Sequence, residues 1–150
     1  MNKKPMKKSD YLSIFESFID NSMWRQGIIF AAAGLTKEER AELLDEIAYR
    51  CQAEFGMTAY LVTNNTTDYI DSEVSIIDKA FDPYLLPNLR STKPIFLVDL
   101  EIPYFENSQS WEYKIVELLI YYKYTFYGFS TRQKMIVYED QNKTICKVKI

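Results

Sequence analysis

Three short, almost uninterrupted apolar runs constrain the fold of this chain most strongly. They occupy residues 27–33 (GIIFAAA), 57–63 (MTAYLVT) and 93–101 (KPIFLVDLE). Runs of this length fit strands that are buried on both faces, as in a parallel sheet covered by helices. The first run also fits part of a buried helix, but the glycines that bound it favour a strand. The sequence therefore predicts the α/β class, with a single, mainly parallel open sheet flanked by helices.

The segments between these runs have the apolar spacing of helices. This spacing recurs in four segments: 9–22, 36–55, 71–81 and 108–127. Thr36 and Glu39 predict a capping box at the start of the second helix, and Gly128 is expected to end the fourth. Alternation of apolar and polar residues over 134–139 and 144–150 predicts a C-terminal antiparallel β-hairpin.

The length of 150 residues is typical of one domain. Residues 1–8 contain four lysines and no acidic residue, so we expect a flexible basic tail followed by a single α/β domain at 9–150. No run reaches the roughly 18 uncharged apolar residues of a membrane span, and none resembles the core of a secretory signal. Cys51 and Cys146 lack the spacing of a disulfide framework. These features predict a cytoplasmic protein with free thiols and no membrane partner.

The sequence contains no histidine. This absence excludes Ser-His-Asp and Cys-His triads, histidine-ligated zinc sites and the usual general base near neutral pH. The composition therefore favours a non-catalytic protein over an enzyme, and it predicts no catalytic residue, no metal site and no cofactor.

The charge is distributed unevenly along the chain. Without residues 1–8, the chain carries 14 basic and 21 acidic residues, a net charge of −7. Such a body repels phosphate backbones, which disfavours nucleic acid and predicts a basic protein as the partner. Glu42 and Asp45 belong to an acidic face of the second predicted helix that suits this role, although many such faces are merely solvated. Formation of a homo-oligomer stays open.

The predicted helix over 108–127 is apolar or aromatic nearly all round. Tyr113, Tyr121, Tyr124 and Tyr127 are spread around it, so a single core does not easily bury all of them. Either two layers of the fold enclose this helix, or part of its tyrosine surface binds a partner. Stacking of nucleobases on these rings is a third interpretation, which the acidic charge disfavours.

Asp99 and Glu101 stand two residues apart at the end of the third run, so both carboxylates are expected on one side of the carboxyl edge of the sheet. Together with Asp68 and Asp71 they suggest an alternative function, a small Mg²⁺-dependent enzyme acting on nucleotides or phosphoesters. The commoner reason for carboxylates at a strand end is simple solvation.

A second alternative is a diverged NTPase-like module, because a buried strand leads through Gly34 into a helix. The segment from Gly34 to Glu39 lacks the Gly-Lys-Ser/Thr of a phosphate-binding loop, and Glu38 and Glu39 in the first helical turn would repel a phosphate.

The leading hypothesis is a non-catalytic cytoplasmic protein-binding module. An inhibitor or immunity protein that masks a basic, nuclease-type partner fits it, because an acidic and aromatic surface imitates phosphates and bases. The predicted partner-binding residues are Glu42, Asp45, Asp99, Glu101, Tyr113, Tyr121, Tyr124 and Tyr127.

Overall fold

A computed structural model describes residues 7–20, 27–31, 35–89, 91, 93–101, 109–130, 135–139 and 145–149, with the backbone alone for the last two ranges. The helices are α1 (Lys8–Asp20), α2 (Lys37–Glu54) and α3 (Trp111–Tyr121). The strands are β1 (Gly27–Ala31), β2 (Thr58–Thr63), β3 (Ser75–Ile77), β4 (Pro94–Leu100), β5 (Thr125–Ser130), β6 (Met135–Glu139) and β7 (Ile145–Lys149). Two 3₁₀ helices lie at Thr66–Tyr69 and Pro83–Asn88.

Five of the strands form a parallel sheet in the order β3-β2-β4-β5-β1. Val62, Val98, Gly128 and Ile29 lie side by side across its centre. The α/β class and the parallel sheet flanked by helices are confirmed. Beyond β1, β6 pairs with β1 and β7 pairs with β6, both antiparallel. The turn of the predicted hairpin, at 140–144, lies outside the described residues.

The sheet separates two layers of apolar side chains. On β4, Ile95 and Leu97 pack with α1 and α2, whereas Phe96 and Val98 pack with α3. This alternation explains why the strands are apolar at nearly every position, because a sheet covered on both faces has no solvated side. We call the two sides the α1–α2 layer and the α3 layer.

The predicted helix over 71–81 is wrong. The described backbone there contains β3, which pairs with β2, and Ile77 is 3% exposed. The three apolar residues at helical spacing in this segment form too short a pattern to outweigh pairing of a β-branched run with the neighbouring strand.

The predicted helix over 108–127 is wrong in its second half. The helix ends at Tyr121, Lys123 adopts a φ of 61°, and β5 follows. Gly128 therefore lies within β5 and does not end a helix. A Cβ atom at Gly128 would lie 1.9 Å from the carbonyl oxygen of Val98, so glycine allows the close approach of β5 to β4.

The first two predicted helices and the three predicted apolar strands agree with the structure to within a few residues. The capping box of Thr36 and Glu39 is present at the start of α2. The predicted flexible tail over 1–8 overlaps α1, which begins at Lys8, and residues 1–6 lie outside the described part of the chain. Among the described residues, none of the helices combines the length and the apolar character that crossing a membrane requires.

Candidate functional site

Asp99, one of the predicted partner-binding residues, is buried in a charged network in the α1–α2 layer. Its residue exposure is 4%, and Arg40 and Tyr69 beside it are 5% and 2% exposed. Arg40 Nε donates to Asp99 Oδ1 at 3.1 Å, and the Tyr69 hydroxyl donates to Asp99 Oδ2 at 2.6 Å. Arg40 Nη1 also donates to the carbonyl of Leu35 at 3.2 Å. Both carboxylate oxygens of Asp99 are thus occupied inside the protein, so Asp99 does not belong to a partner-binding surface.

Burial dominates the protonation of this network. Desolvation raises the pKa of Asp99 above its usual range, although the hydrogen bond from Tyr69 and the guanidinium of Arg40 act in the opposite direction. Burial also raises the pKa of Tyr69, and the negative charge of Asp99 adds to this effect. Through the contacts of Asp99 with Arg40 and Tyr69, the network links α2, the end of β4 and the first 3₁₀ helix, and it holds charge away from solvent.

Glu101 lies two residues further on, at the carboxyl edge of the sheet, and is half-buried. Lys37 Nζ contacts its Oε1 at 2.7 Å, and the side-chain amide of Asn65 donates to the same oxygen at 3.3 Å. The hydrogen bond from Lys37 lowers the pKa of Glu101. This carboxylate is exposed enough to meet a ligand, but it is already paired.

A second polar group lies at the same edge, on the side of α3. The side-chain amide of Asn64 donates to the Glu101 carbonyl at 2.6 Å and to Glu112 Oε1 at 2.9 Å, and Lys79 Nζ contacts that oxygen at 3.0 Å. Burial raises the pKa of Glu112, but hydrogen bonds from Asn64, its own backbone N–H and Lys79 outweigh this and lower it. The connections from β2 and β4 diverge here toward β3 and β5, which is where open α/β sheets bind ligands.

These contacts do not form the predicted magnesium site. Asp99 is enclosed, Glu101 is paired with Lys37, and Asp71 lines a groove elsewhere on the surface. Within the described part of the chain, no group of three or more acidic or cysteine side chains is arranged to hold a metal ion.

The start of α2 also differs from a phosphate-binding loop. The Thr36 hydroxyl accepts from the backbone N–H of Glu39, and the Glu39 carboxylate accepts from the backbone N–H of Thr36. The capping box thus satisfies two of the N–H groups that a phosphate would use, and Glu38 adds negative charge in the first turn. Gly34 lies outside the described residues.

Tyr127, predicted to lie on a partner-binding helix, is fully buried on β5. Its exposure is 0%, and its hydroxyl donates to the carbonyl of Tyr11 on α1 at 2.6 Å. Its inclusion in a surface is therefore wrong, because the pattern of aromatic residues continues from α3 into the next strand.

The other predicted tyrosines lie in the α3 layer. Tyr113 and Tyr124 are half-buried, and the Tyr124 hydroxyl donates to the carbonyl of Leu86 at 3.4 Å. Tyr121 is 72% exposed at the end of α3. These residues are separated by the sheet from the acidic face of α2, so the predicted tyrosines do not form one surface with Glu42 and Asp45.

The acidic side of α2 is exposed as predicted. Glu42 Oε2 lies 3.4 Å from Lys8 Nζ, and Asp45 Oδ1 accepts from the Ser72 hydroxyl at 2.8 Å. The contact from Asp45 joins α2 to the segment 70–74 that precedes β3, and a groove of about 270 Å³ lies between them. We call it the acidic groove. Its lining residues are Asp45, Tyr49, Gln52, Asp71, Ser72, Glu73 and Val74.

Two exposed apolar side chains accompany these carboxylates. Tyr49, which lines the acidic groove, is 71% exposed, and Ile70 at the start of the facing segment is 81% exposed. Sequence reasoning missed Tyr49, although it stands four residues after Asp45 and hence on the same helical face. It missed Asp71 and Glu73 as part of this site because their position depends on the pairing of β3.

The segment that forms the second wall of the acidic groove is held at both ends. It follows Tyr69, whose hydroxyl is fixed by Asp99, and the Ser72 backbone N–H donates to the Tyr69 carbonyl at 3.0 Å. The Ser72 hydroxyl accepts from the Val74 backbone N–H at 3.2 Å as well as donating to Asp45. Hydrogen bonds thus connect the buried network of Asp99 to the wall of the acidic groove.

Cys51, the cysteine whose side chain the structure describes, is buried in the same layer. Burial raises the pKa of its thiol to about 12, which removes the thiolate needed for reactivity.

Neither a scan against protein-family models nor searches of curated proteins and of solved structures found a match to this chain.

Proposed function

We propose that this chain is a non-catalytic protein-binding module whose acidic groove accepts basic side chains of another protein. One observation carries the proposal: three carboxylates, those of Asp45, Asp71 and Glu73, line a groove together with the exposed ring of Tyr49, and none of its described lining residues is basic. Among the described residues, no ion pair involves any of these three carboxylates. A guanidinium or ammonium group is the chemistry that complements them.

The arrangement supports recognition more than chemistry. The described carboxylates with shifted pKa values, Asp99, Glu101 and Glu112, each contact a cationic side chain, whereas those in the groove are exposed and only Asp45 has a side-chain partner shown, the Ser72 hydroxyl. Carboxylates that face solvent attract a basic protein over a distance, and the cations of that protein offset the cost of desolvating them on binding.

A cytoplasmic inhibitor or immunity protein that masks a basic, nucleic-acid-cleaving partner is the biological form that fits this chemistry. Such an enzyme presents cations to phosphates and apolar surface to bases. The acidic groove offers carboxylates at the place of phosphates and the Tyr49 ring at the place of a base.

The test uses a hexa-arginine peptide as the probe and titration calorimetry as the measurement. Glu73→Gln removes one charge from the acidic groove, and Glu117→Gln removes one charge from α3 as the matched control. We expect Glu73→Gln to weaken binding about threefold and the control to leave it unchanged, since exposed ion pairs contribute about 0.2–1 kcal/mol. Equal weakening by both variants would mean that the peptide senses only the net charge, and the proposal would fail.

A further inference from the structure

The acidic groove opens beside an unpaired edge of the sheet. Among the described residues, β3 is the outermost strand and pairs with β2 alone. Ser75 and Ile76 are exposed, the latter at 36%. An edge strand presents backbone N–H and C=O groups that can pair with an added strand, and many peptide-binding domains use such an edge.

The side of β3 that faces the acidic groove can be read from its register. Ile76 pairs with Leu61, which packs in the α1–α2 layer, so Ile76 points toward the side of the sheet that α2 covers. Ile77 packs in the α3 layer. Alternate side chains of a strand added to β3 would therefore point toward the side of Tyr49, and those between them toward the side of α3.

Charge selects the kind of segment that would bind there. Asp71 and Glu73 precede β3 and Asp78 follows it, so carboxylates stand at both ends of the strand. The exposed side chain of Ile76 supplies apolar contact between them. An acidic or neutral extended segment would lack complementary charge, whereas a segment of alternating basic and apolar residues satisfies both features.

We propose that an extended, basic segment of the partner protein adds to the sheet as a strand beside β3 and directs alternate basic side chains into the acidic groove. This inference rests on the proposed function and specifies how the partner binds. The backbone hydrogen bonds supply affinity that does not depend on sequence, and the groove supplies the preference for a basic residue at every second position.

The experiment compares peptides of the same composition. The first is a nine-residue peptide of alternating arginine and valine, and the second has five arginines followed by four valines. Two further versions of the alternating peptide carry N-methyl groups, one on the odd and one on the even positions, so that each removes the N–H donors of one edge. Titration calorimetry gives the affinities, and amide hydrogen exchange at 75–77 reports pairing with β3.

We expect the alternating peptide to bind about tenfold more tightly than the block peptide and to slow exchange at 75–77. One N-methylated version should lose about tenfold in affinity and the other should not, because only one edge of the peptide faces β3, and the loss of one or two hydrogen bonds has this size. Ile76→Lys, which adds a like charge at the edge, should weaken the alternating peptide and leave the unfolding midpoint unchanged.

Other outcomes separate the two proposals. If Asp71→Asn with Glu73→Gln weakens all peptides while neither N-methylated version differs from its parent, cations bind the groove without strand addition, and this inference falls while the proposed function stands. If the groove variant has no effect, both fall. If sedimentation shows a dimer that Ile76→Lys dissociates, a second copy of the chain occupies the edge, and this inference also falls.

Discussion

The two helical layers of this protein cover the same parallel sheet, yet they differ in where they carry charge. The α1–α2 layer buries an ion pair whose side chains are 6% and 5% exposed, that of Arg40 with Asp99. In the α3 layer, the buried carboxylate of Glu112 pairs with Lys79, which is 62% exposed. Outside, α2 presents carboxylates with Tyr49, whereas α3 ends in the exposed Tyr121.

This difference shows that negative charge and tyrosine content are separate properties of the molecule. Of the four tyrosines predicted for a surface, Tyr113 and Tyr124 pack in the α3 layer and Tyr127 packs in the α1–α2 layer, so three of them serve packing. Acidic and aromatic groups meet in the acidic groove because the buried network fixes the segment after Tyr69 against α2. Substitutions in the α1–α2 layer should therefore weaken binding at the acidic groove far more than substitutions in the α3 layer.

The largest expected effect comes from Asp99→Ala. It leaves the guanidinium of Arg40 buried without its partner, which should lower the free energy of unfolding by about 3–5 kcal/mol. Glu112→Ala should cost only about 1 kcal/mol, because Lys79 returns to solvent. Urea unfolding monitored by fluorescence measures both values.

The matched control for Asp99→Ala replaces the whole network. Arg40→Met, Asp99→Leu and Tyr69→Phe together remove every buried polar group of the network's side chains, so this variant should recover most of the lost stability. If the triple variant is as unstable as Asp99→Ala alone, the stability lost in Asp99→Ala comes from altered packing and not from the unpaired charge of Arg40.

A smaller effect distinguishes two tyrosine hydroxyls. Tyr127→Phe removes a buried hydrogen bond of 2.6 Å between β5 and α1 and should cost about 1 kcal/mol. Tyr124→Phe removes a half-buried one of 3.4 Å and should cost less than about 0.5 kcal/mol. The urea midpoints, at unchanged denaturant slope, measure the difference. Equal costs would contradict the burial that separates these two residues.

The layers should also differ in how pH affects stability. The pKa of Asp99 is raised in the folded state, so its contribution is most favourable below about 3.8 and declines as pH rises through the folded pKa. The pKa of Glu112 is lowered, so its contribution is present above about 4.5 and is lost as pH falls through the folded pKa.

Urea titrations between about pH 3 and pH 7 separate the two groups. Asp99→Asn should make the free energy of unfolding rise more steeply with pH, because it removes the contribution of Asp99, which declines as pH rises. Glu112→Gln should make it rise less steeply. Unchanged slopes in both variants would show that other carboxylates dominate the acid transition.

The parts of the fold that sequence reasoning predicted are those in which local pattern and tertiary environment agree. The runs that became β1, β2 and β4 are apolar at nearly every position because both faces of each strand are covered. β5 was missed because its aromatic residues continue the helical spacing of α3 past Tyr121. β3 was missed because its three residues carry little pattern, and its strand geometry comes from pairing with β2.

The candidate site divides in the same way. Glu42 and Asp45 were predicted on an exposed helical face, and Tyr49 four residues beyond Asp45 was within reach of the same reasoning. The facing wall at 70–74 was not, because its position depends on contacts remote in sequence, those of Tyr69 with Asp99 and of Ser72 with Asp45. The burial of Asp99 depends likewise on Arg40, 59 residues away.

The last comparison concerns binding, and it uses the two tyrosines that are most exposed within the described part of the chain. Tyr49→Ala should weaken the hexa-arginine peptide about two- to fivefold, because a cation over an exposed aromatic ring gains about 0.5–1 kcal/mol. Tyr121→Ala should leave the affinity unchanged, although Tyr121 is 72% exposed against 71% for Tyr49, since the sheet lies between it and the acidic groove. Both variants should keep the wild-type unfolding midpoint, because neither ring is buried. Titration calorimetry at low salt measures the pair. Loss of affinity in Tyr121→Ala alone would move the partner-binding surface to the α3 layer and would restore the role that the sequence first suggested for that tyrosine.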